Sequence, residues 1–295
     1  MTEVLQQLVD GLGRGSEYAL IGLGIALIFG VMHLVNFAQG DLITVSGYVT
    51  YALLTAGWSW WAVIPLIVLT ATLTSVAIEF VAFRRVRGAS DTTMLLTSFG
   101  VHFVITALFV MFVSPNVRTF DRPSWVTDTV TIGSVRLEVF DLATLGVTIV
   151  TLAATAFVVR RTMFGISLRA AAEDFAAARL MGVRSDRVIQ GAFALAGLLA
   201  GIASVFILMR SGRTSPNFGE TPMLKGILAA LIGGLGSLGG AVIGGFALGL
   251  LEVFLIARLP DELVGLTNGV VFLLIAVLFI FRPGGIVSVR HAERV

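Results

Sequence analysis

The stretch RAAAEDFAAARLMG, residues 169–182, lies within a long polar interruption, residues 160–187, between strongly hydrophobic segments. Alanine dominates it, two acidic residues precede its middle and an arginine follows, so its local signals favour a short helix. Gly182 can adopt the left-handed conformation that ends a helix. The interruption contains six arginines. Because arginine-rich loops of membrane proteins stay in the cytoplasm, we expect this short helix to be a cytoplasmic surface that another protein binds.

Composition places the chain in the membrane. Hydrophobic residues make up 57% of its 295 residues, charged residues only 13%, and the mean hydropathy is +0.96. So little charge cannot cover a soluble domain, so we expect lipid to be the main solvent. The sequence has no cysteine, which excludes disulfides, thiolate metal sites and a cysteine nucleophile.

The motifs of nucleotide hydrolysis and metal catalysis do not occur in the sequence. Its single lysine, Lys225, lies in the run LKGI and does not match a phosphate-binding glycine-rich loop. Its three histidines do not form a His-Glu-x-x-His pair. We therefore expect no catalytic, metal or cofactor site in this chain, and no nucleic-acid partner.

Nine apolar segments approach the roughly 20 residues that a helix needs to cross the hydrocarbon. They are Ser16–Leu34, Leu42–Gly57, Trp61–Phe83, Thr93–Val113, Asp141–Val159, Val188–Met209, Pro222–Leu235, Leu238–Ala257 and Val264–Phe281. The seventh is short enough to be a re-entrant or half-crossing segment. If the seventh segment crosses the membrane, the arginines at 84–87, in 160–187 and in the tail 282–295 all lie on the cytoplasmic side; otherwise they do not. We predict an all-α polytopic membrane protein, a bundle of about eight to nine transmembrane helices in one domain, residues 1–295, with its N-terminus outside.

The segment 114–140 then faces the extracytoplasmic side. Within it, TVTIGSVRLE (residues 129–138) alternates around Gly133-Ser134, which predicts a β-hairpin. The hairpin can be a simple surface cap, or it can contact an extracytoplasmic partner.

Glycines recur at four-residue spacing near the C-terminal end. The set is Gly236, Gly240, Gly244, Gly245 and Gly249. Such spacing lets helix backbones approach closely in the membrane. It predicts a tightly packed seam, either inside the subunit or with a second copy.

A second informative stretch is HLVNFAQGDL, residues 33–42, which joins the first two spans. Asn36, Gln39 and Asp41 offer polar groups beside Gly40, which permits a broken helix. In transporters, irregular polar backbone at membrane depth lines a cavity. The alternative is a capped turn, in which Asn36 ends one helix and Asp41 is the N-cap of the next.

Ionisable residues inside the predicted spans are few. They are Glu17, Asp41, Glu79, Lys225 and Glu252. Most lie within about two turns of a predicted span end, where the interface is within reach. We expect Glu79 to be solvated or paired near Arg84 and Arg85. The spacing does not indicate the chain of mid-depth groups that a proton relay needs.

Several of these runs resemble one family. GSEYALIGLGIALIFG (residues 15–30) and VNFAQGDL (residues 35–42) look like the start of the LivH-type permeases of branched-chain amino acid ABC importers. AEDFAAARLMG (residues 172–182) is similar to the cytoplasmic loop of that family. GGLGSLGG (residues 233–240) and FRPGG (residues 281–285) resemble its C-terminal half. The likeness extends from about residue 11 to residue 285.

The resemblance implies a permease subunit of an ATP-driven importer in the inner membrane, which forms the path for branched-chain or similar apolar amino acids. It implies two ATP-binding subunits that hold ATP and Mg, a second related permease and an extracytoplasmic solute-binding protein. The alternative that stays open is a secondary transporter of a small solute driven by an ion gradient. That alternative requires coupled ionisable groups at mid-membrane.

The resemblance also assigns residues. The polar helix becomes a coupling helix that docks into the ATPase. Its predicted contacts are Glu173, Asp174, Ala177, Ala178, Arg179, Met181 and Gly182. The general importer pattern has glutamate where this chain has Ala176, and the acidic pair lies one turn earlier, so either carboxylate can meet the ATPase. The predicted translocation path comprises Asn36, Phe37, Gln39, Gly40 and Asp41, although the family often has histidine in place of Gln39.

Overall fold

The computed structural model describes residues 2–132, 135–260 and 265–281, and helices dominate them. The helices are α1 (Thr2–Met32), α2 (Gln39–Thr55), α3 (Trp60–Ile78), α4 (Arg84–Val86), α5 (Asp91–Phe112), α6 (Val139–Arg161), α7 (Met163–Glu173), α8 (Phe175–Leu180), α9 (Ser185–Ser211), α10 (Glu220–Gly233), α11 (Leu238–Ile256) and α12 (Thr267–Phe281). A π-helical stretch, Glu79–Phe83, joins α3 to α4. The predicted all-α fold class is confirmed.

Six of these helices are long and apolar enough to cross a membrane, and three further apolar helices are shorter. The six are Glu3–Met32, Trp60–Val86, Asp91–Phe112, Val139–Arg161, Ser185–Ser211 and Leu238–Ile256. Helices α2, α10 and α12 have 17, 14 and 15 residues. Each predicted apolar segment overlaps one of these nine helices, and the count of eight to nine crossings stays a prediction.

Helix α1 is the centre of the bundle and packs against α6, α9, α10 and α11. Its apolar residues between Tyr18 and Ile28 are buried on every side of the helix, as expected for a helix that is hydrophobic all round. The predicted start at Ser16 is wrong, because α1 begins at Thr2. The polar first turns stay helical, and Gln6 donates a hydrogen bond to Asp10 one turn later (2.9 Å).

The glycine seam lies inside the subunit. Gly245 and Gly249 lie against the backbone of α1, and Gly240 and Gly244 lie against α10. A side chain at any of the four would overlap backbone atoms, so these helices approach as closely as their backbones allow. Gly236 was predicted to belong to the seam, and this is wrong. It has φ +90° in the turn before α11, and a methyl group added there would meet no atom within 4 Å.

We expect Gly249→Ala to destabilise the protein by about 1–3 kcal/mol, because the added methyl group must displace the Gly15 backbone. The matched control is Gly239→Ala in the same helix, where nothing lies within 4 Å of the added methyl group. Thermal unfolding in detergent measures both. Equal stability of the two variants would contradict the close contact between α1 and α11.

Short strands mark the end of the bundle opposite the arginine-rich loops. Strand β1 (Arg118–Thr119) pairs antiparallel with the strand Arg213–Thr214, which follows α9. The other pair is formed by Thr129–Ile132 and Val135–Glu138, also antiparallel, where the sequence predicts a hairpin. In chain order these strands are β1, β2 (Thr129–Ile132), β3 (Val135–Glu138) and β4 (Arg213–Thr214). The predicted turn residues 133–134 and the arginine-containing tail 282–295 lie outside the described residues.

Candidate functional site

The polar loop forms two helices, α7 and α8, instead of the single helix predicted over residues 169–182. The break is at Asp174, whose backbone is extended (φ −153°, ψ 105°). Its Oδ1 accepts a hydrogen bond from the Ala177 N–H (2.9 Å), so Asp174 acts as the N-cap of α8. The single-helix prediction is wrong because this carboxylate satisfies a backbone donor locally and starts a new helix.

Gly182 ends α8, as its position in the sequence predicts. It has φ +86°, in the left-handed region. The Val183 N–H donates to the Ala178 carbonyl (3.1 Å), and the Met181 N–H donates to the Ala177 carbonyl (3.1 Å). This is the pattern of a glycine-terminated helix, and it fixes where the chain turns towards α9.

Helix α7 is anchored to the end of α6. The Thr162 hydroxyl accepts from the Gly165 N–H (3.2 Å), and the Arg169 guanidinium donates to the Val159 carbonyl. Leu168 and Ala171 are buried on the inner face of α7. Helix α7 is therefore held firmly against the end of α6.

The outer surface of α8 carries apolar side chains that no described residue covers. Leu180 is 90% exposed and Met181 is 86% exposed, in the loop for which the sequence predicts a cytoplasmic location. Among the other predicted contact residues, Glu173, Ala177 and Arg179 are exposed, whereas Ala178 is buried. Exposed apolar side chains beside charged ones are typical of a protein-binding surface.

A cavity of about 800 Å³ lies behind this surface. Its lining includes Met32, His33, Arg87, Glu173, Arg179 and Asp186. Arg87 forms ion pairs with Glu79 and Asp186 there. Burial lowers the pKa of the Arg87 guanidinium from its ordinary value, and the Asp186 carboxylate opposes that change. Glu79 is fully buried and pairs with Arg87 of the same arginine-rich turn, so of the two expectations for Glu79 the paired one is confirmed and the solvated one is wrong.

The linker between α1 and α2 is irregular. Helix α1 ends at Met32, and His33 adopts a positive φ of 54°. The Asn36 Oδ1 then accepts from the Ala38 N–H (3.1 Å) and forms a local turn. The capped-turn alternative is therefore wrong for both of its residues. His33, and not Asn36, ends α1, and Asp41 lies inside the first turn of α2 and is not its N-cap.

Helix α2 begins at the middle of the membrane. Gln39 Nε2 donates to the Ala196 carbonyl near the middle of α9 (3.2 Å). Asp41 Oδ1 lies 2.9 Å from His102 Nδ1, near the middle of α5. Because α5 and α9 are long enough to cross the bilayer, both contacts place the start of α2 at mid-depth. Phe37 stacks on Phe99 of α5 (ring centroids 4.1 Å apart) just before that point.

Helix α10 begins at the same depth. The Gly219 N–H donates to Thr44 Oγ1 of α2 (3.0 Å). A side chain at Gly40 would approach the Gly219 carbonyl to 2.8 Å, so only glycine allows this contact without a shift. His102 Nε2 lies 3.4 Å from Glu220 Oε1. Two short helices therefore start at mid-membrane and are joined through one histidine, as in the discontinuous helices of transporters.

His102 and Glu220 were not among the site residues predicted from the sequence. The available signals were a histidine in the middle of an apolar span and a tenth helix too short to cross alone. Neither signal identifies the partner of the histidine, because His102 and Asp41 lie 61 positions apart in the sequence.

Two buried ionic networks tie α1 to other helices. Lys225 Nζ lies 2.9 Å from both carboxylate oxygens of Glu252, and Tyr18 donates to the same carboxylate (2.7 Å). Arg14 completes this first network with a 3.2 Å contact to Glu252. In the second network, Arg210 contacts Glu17 (2.9 Å) and Asp141 (2.6 Å).

These networks correct the expectation that the ionisable residues reach the interface. Glu17, Lys225 and Glu252 are buried, and each has an opposite charge within hydrogen-bonding distance. Pairing offsets the cost of removing each charge from water, so burial is tolerated.

Comparison with known families identifies the chain's relatives. Residues 7–278 match the family described as the permease component of branched-chain amino acid transport systems. The chain belongs to this family. With its apolar helices, membership identifies it as a multi-pass membrane protein and a permease component.

Individual relatives of this permease align over nearly its whole length. The high-affinity branched-chain amino acid transport system permease protein BraD of Pseudomonas aeruginosa is 29% identical over 303 residues, covering 99% of this chain and 98% of BraD. The permease protein LivH of Escherichia coli K12 is 29% identical over 306 residues, covering 99% and 97%. The xylose transport system permease protein XylH of the same strain matches 32% of this chain, at 36% identity over 102 residues.

A solved structure shares the fold of the permease. It is described as an inward-facing conformation of a metal-chelate type ABC transporter, and the TM-score is 0.54. The alignment covers 94% of this chain and 85% of that chain, at 18% sequence identity. At this identity the similarity concerns the fold alone.

Proposed function

We propose that this protein is a transmembrane subunit of an ATP-driven importer and forms the translocation path for branched-chain or similar apolar amino acids. The observation that carries the proposal is the similarity, over nearly the full length, to two permeases named for high-affinity branched-chain amino acid transport. Substrate selection rests mainly with a separate solute-binding protein, which delivers the solute to the permease.

The cytoplasmic surface formed by α7 and α8 is the proposed site of ATPase docking. Leu180 and Met181 project from it, and Glu173 and Arg179 provide charges beside them. A helix that is anchored on one face and apolar on the other can transmit movement between the ATPase and the bundle. ATP and Mg bind in the partner ATPase subunits, and this chain holds no cofactor of its own.

The proposed assembly contains this permease and a second related permease in a bacterial or archaeal cytoplasmic membrane, with two ATP-binding subunits docked on them. A solute-binding protein docks at the opposite end, where β1, β4 and the β2–β3 hairpin lie. The three arginines of the loop, Arg118, Arg122 and Arg136, offer charge for that contact.

We expect the tagged chain, purified in mild detergent from its own membrane, to bring with it a phosphate-binding-loop ATPase and a second hydrophobic permease. Mass spectrometry of the purified material identifies both. An unrelated multi-pass protein purified in parallel controls for non-specific capture. Recovery of the chain alone, with solute movement that needs no ATPase, would support the secondary transporter instead.

A further inference from the structure

One surface of the bundle carries polar groups at mid-membrane depth. The Glu220 side chain is 41% exposed at the start of α10. Leu224, which follows Glu220 by four residues and Thr221 by three, lies on the same side of α10 as both, and Thr221 and Leu224 are exposed. An ionisable group at this depth faces the bundle interior or a water-filled cavity and not the lipid. This face is therefore not a lipid-facing surface.

Large apolar side chains are exposed at similar depth on two other helices. Val150, midway along α6, is 69% exposed, and Leu73, midway along α3, is 59% exposed. Those side chains suit contact with hydrocarbon. The contrast between these positions and Glu220 separates a lipid-facing side of the molecule from a side that contacts water or solute.

The mid-depth cluster has unused hydrogen-bonding capacity. Asp41 Oδ2 and Gln39 Oε1 are buried and have no hydrogen-bond partner among the described residues, although each residue is at least 99% buried. Both atoms are acceptors, so they match a ligand that donates several hydrogen bonds. Asp41 and Glu220 flank His102 on two sides. With two carboxylates and one imidazole, the cluster can bind a positively charged group.

The helix ends beside the cluster offer the opposite chemistry. Helices α2 and α10 both begin here, at Gln39 and Glu220. The positive ends of the dipoles of these two helices favour a carboxylate. A zwitterionic amino acid carries both an ammonium group, which donates three hydrogen bonds, and a carboxylate.

We infer that Asp41, His102 and Glu220 form a recognition site for the zwitterionic head group of an aliphatic amino acid, and that the exposed face of α10 is a wall of the translocation path. Leu224, one turn below Glu220, lies where the apolar side chain of the solute passes. The amino-acid class rests on the proposed function, whereas the position of the wall rests on exposure and depth.

Cysteine accessibility tests the wall directly, because the natural chain has no cysteine. Thr221→Cys and Leu224→Cys place a thiol on the proposed wall, and Val150→Cys and Leu73→Cys are controls at similar depth. The full importer in proteoliposomes is treated with a membrane-impermeant thiol reagent. We expect the α10 positions to react at least tenfold faster than the controls, and saturating leucine with its binding protein to slow that reaction. Equal reaction rates at all four positions would refute the proposal that this face of α10 lines the translocation path.

Glu220→Gln tests recognition by the head-group site. We expect at least tenfold slower leucine uptake by the assembled importer, with unchanged co-purification of the ATPase. Glu3→Gln, an exposed carboxylate in the first turn of α1, is the matched control and should keep normal uptake. Normal uptake by Glu220→Gln would overturn the recognition site. If the wild-type importer does not transport leucine but Thr221→Cys is labelled fast, the proposed substrate is refuted. The proposal that α10 lines the translocation path is then retained.

Discussion

Glu252→Gln is expected to destabilise the folded protein by about 3–5 kcal/mol, because it leaves Lys225 buried without a carboxylate partner. Lys225 contacts Glu252 through both carboxylate oxygens at 2.9 Å, and its other hydrogen bond goes to the Tyr18 hydroxyl (3.0 Å). Within the described residues, no second carboxylate lies within 4 Å of the lysine nitrogen. Thermal unfolding of the purified protein in detergent, followed with its tryptophan fluorescence, measures the loss.

The reciprocal substitution distinguishes this explanation from a general loss of packing. Lys225→Met should cost less, because Glu252 keeps its ion pair with Arg14 (3.2 Å) and its hydrogen bond from Tyr18 (2.7 Å). The double variant Lys225→Met with Glu252→Leu removes both charges and should recover part of the stability, as buried pairs replaced by apolar residues do. A larger loss for Lys225→Met than for Glu252→Gln would contradict this explanation of the network.

Leu180→Asp combined with Met181→Asp is expected to weaken ATPase binding by about 2–4 kcal/mol, or roughly 30- to 900-fold in Kd. The two residues are 90% and 86% exposed in the arginine-rich loop. If the ATPase covers them, aspartate at these positions must be buried without a partner. Titration of the purified ATPase subunit against the permease in detergent measures the change.

The control for this surface is Val117→Asp, which replaces an apolar side chain that is 56% exposed at the opposite end of the bundle. It should leave ATPase binding unchanged. Membrane insertion of all variants is checked by the yield of monodisperse protein. Equal ATPase affinity for the double variant and the wild type would show that the ATPase does not bind α8.

The fold class followed from the sequence because it depends on local and compositional signals. The apolar runs are long and carry few charges, so their helical nature and membrane location are fixed by hydrophobicity alone. Gly182 was also predictable, since a glycine that follows an alanine-rich helix is a common stop. The spacing of Gly245 and Gly249 predicted close packing, although it did not say that the neighbour is α1 of the same subunit.

The ionic contacts were not predictable in the same way. Arg210 and Glu17 are 193 positions apart, and Lys225 and Glu252 are 27 apart, so their pairing depends on how whole helices are arranged. A single sequence indicates which residues are costly to bury and does not indicate which residue compensates each one. The position of α2 at mid-depth has the same origin, because it depends on contacts with α5 and α9.

The break at Asp174 was missed for a local reason. Alanines on both sides favour one continuous helix, and the helix propensity summed over residues 169–181 outweighs one aspartate. The carboxylate nevertheless accepts the Ala177 N–H, and this hydrogen bond starts α8 in a new direction. The resulting exposure of Leu180 and Met181 is the feature on which the docking proposal depends.

The most direct test of the central claim is leucine uptake into proteoliposomes that contain the purified importer, with the binding protein outside and ATP inside. We expect uptake that requires ATP, Mg and the ATPase subunits, and that stops when ATP is replaced by a non-hydrolysable analogue. Uptake of leucine by this chain alone, without ATP and driven by an ion gradient, would contradict the claim.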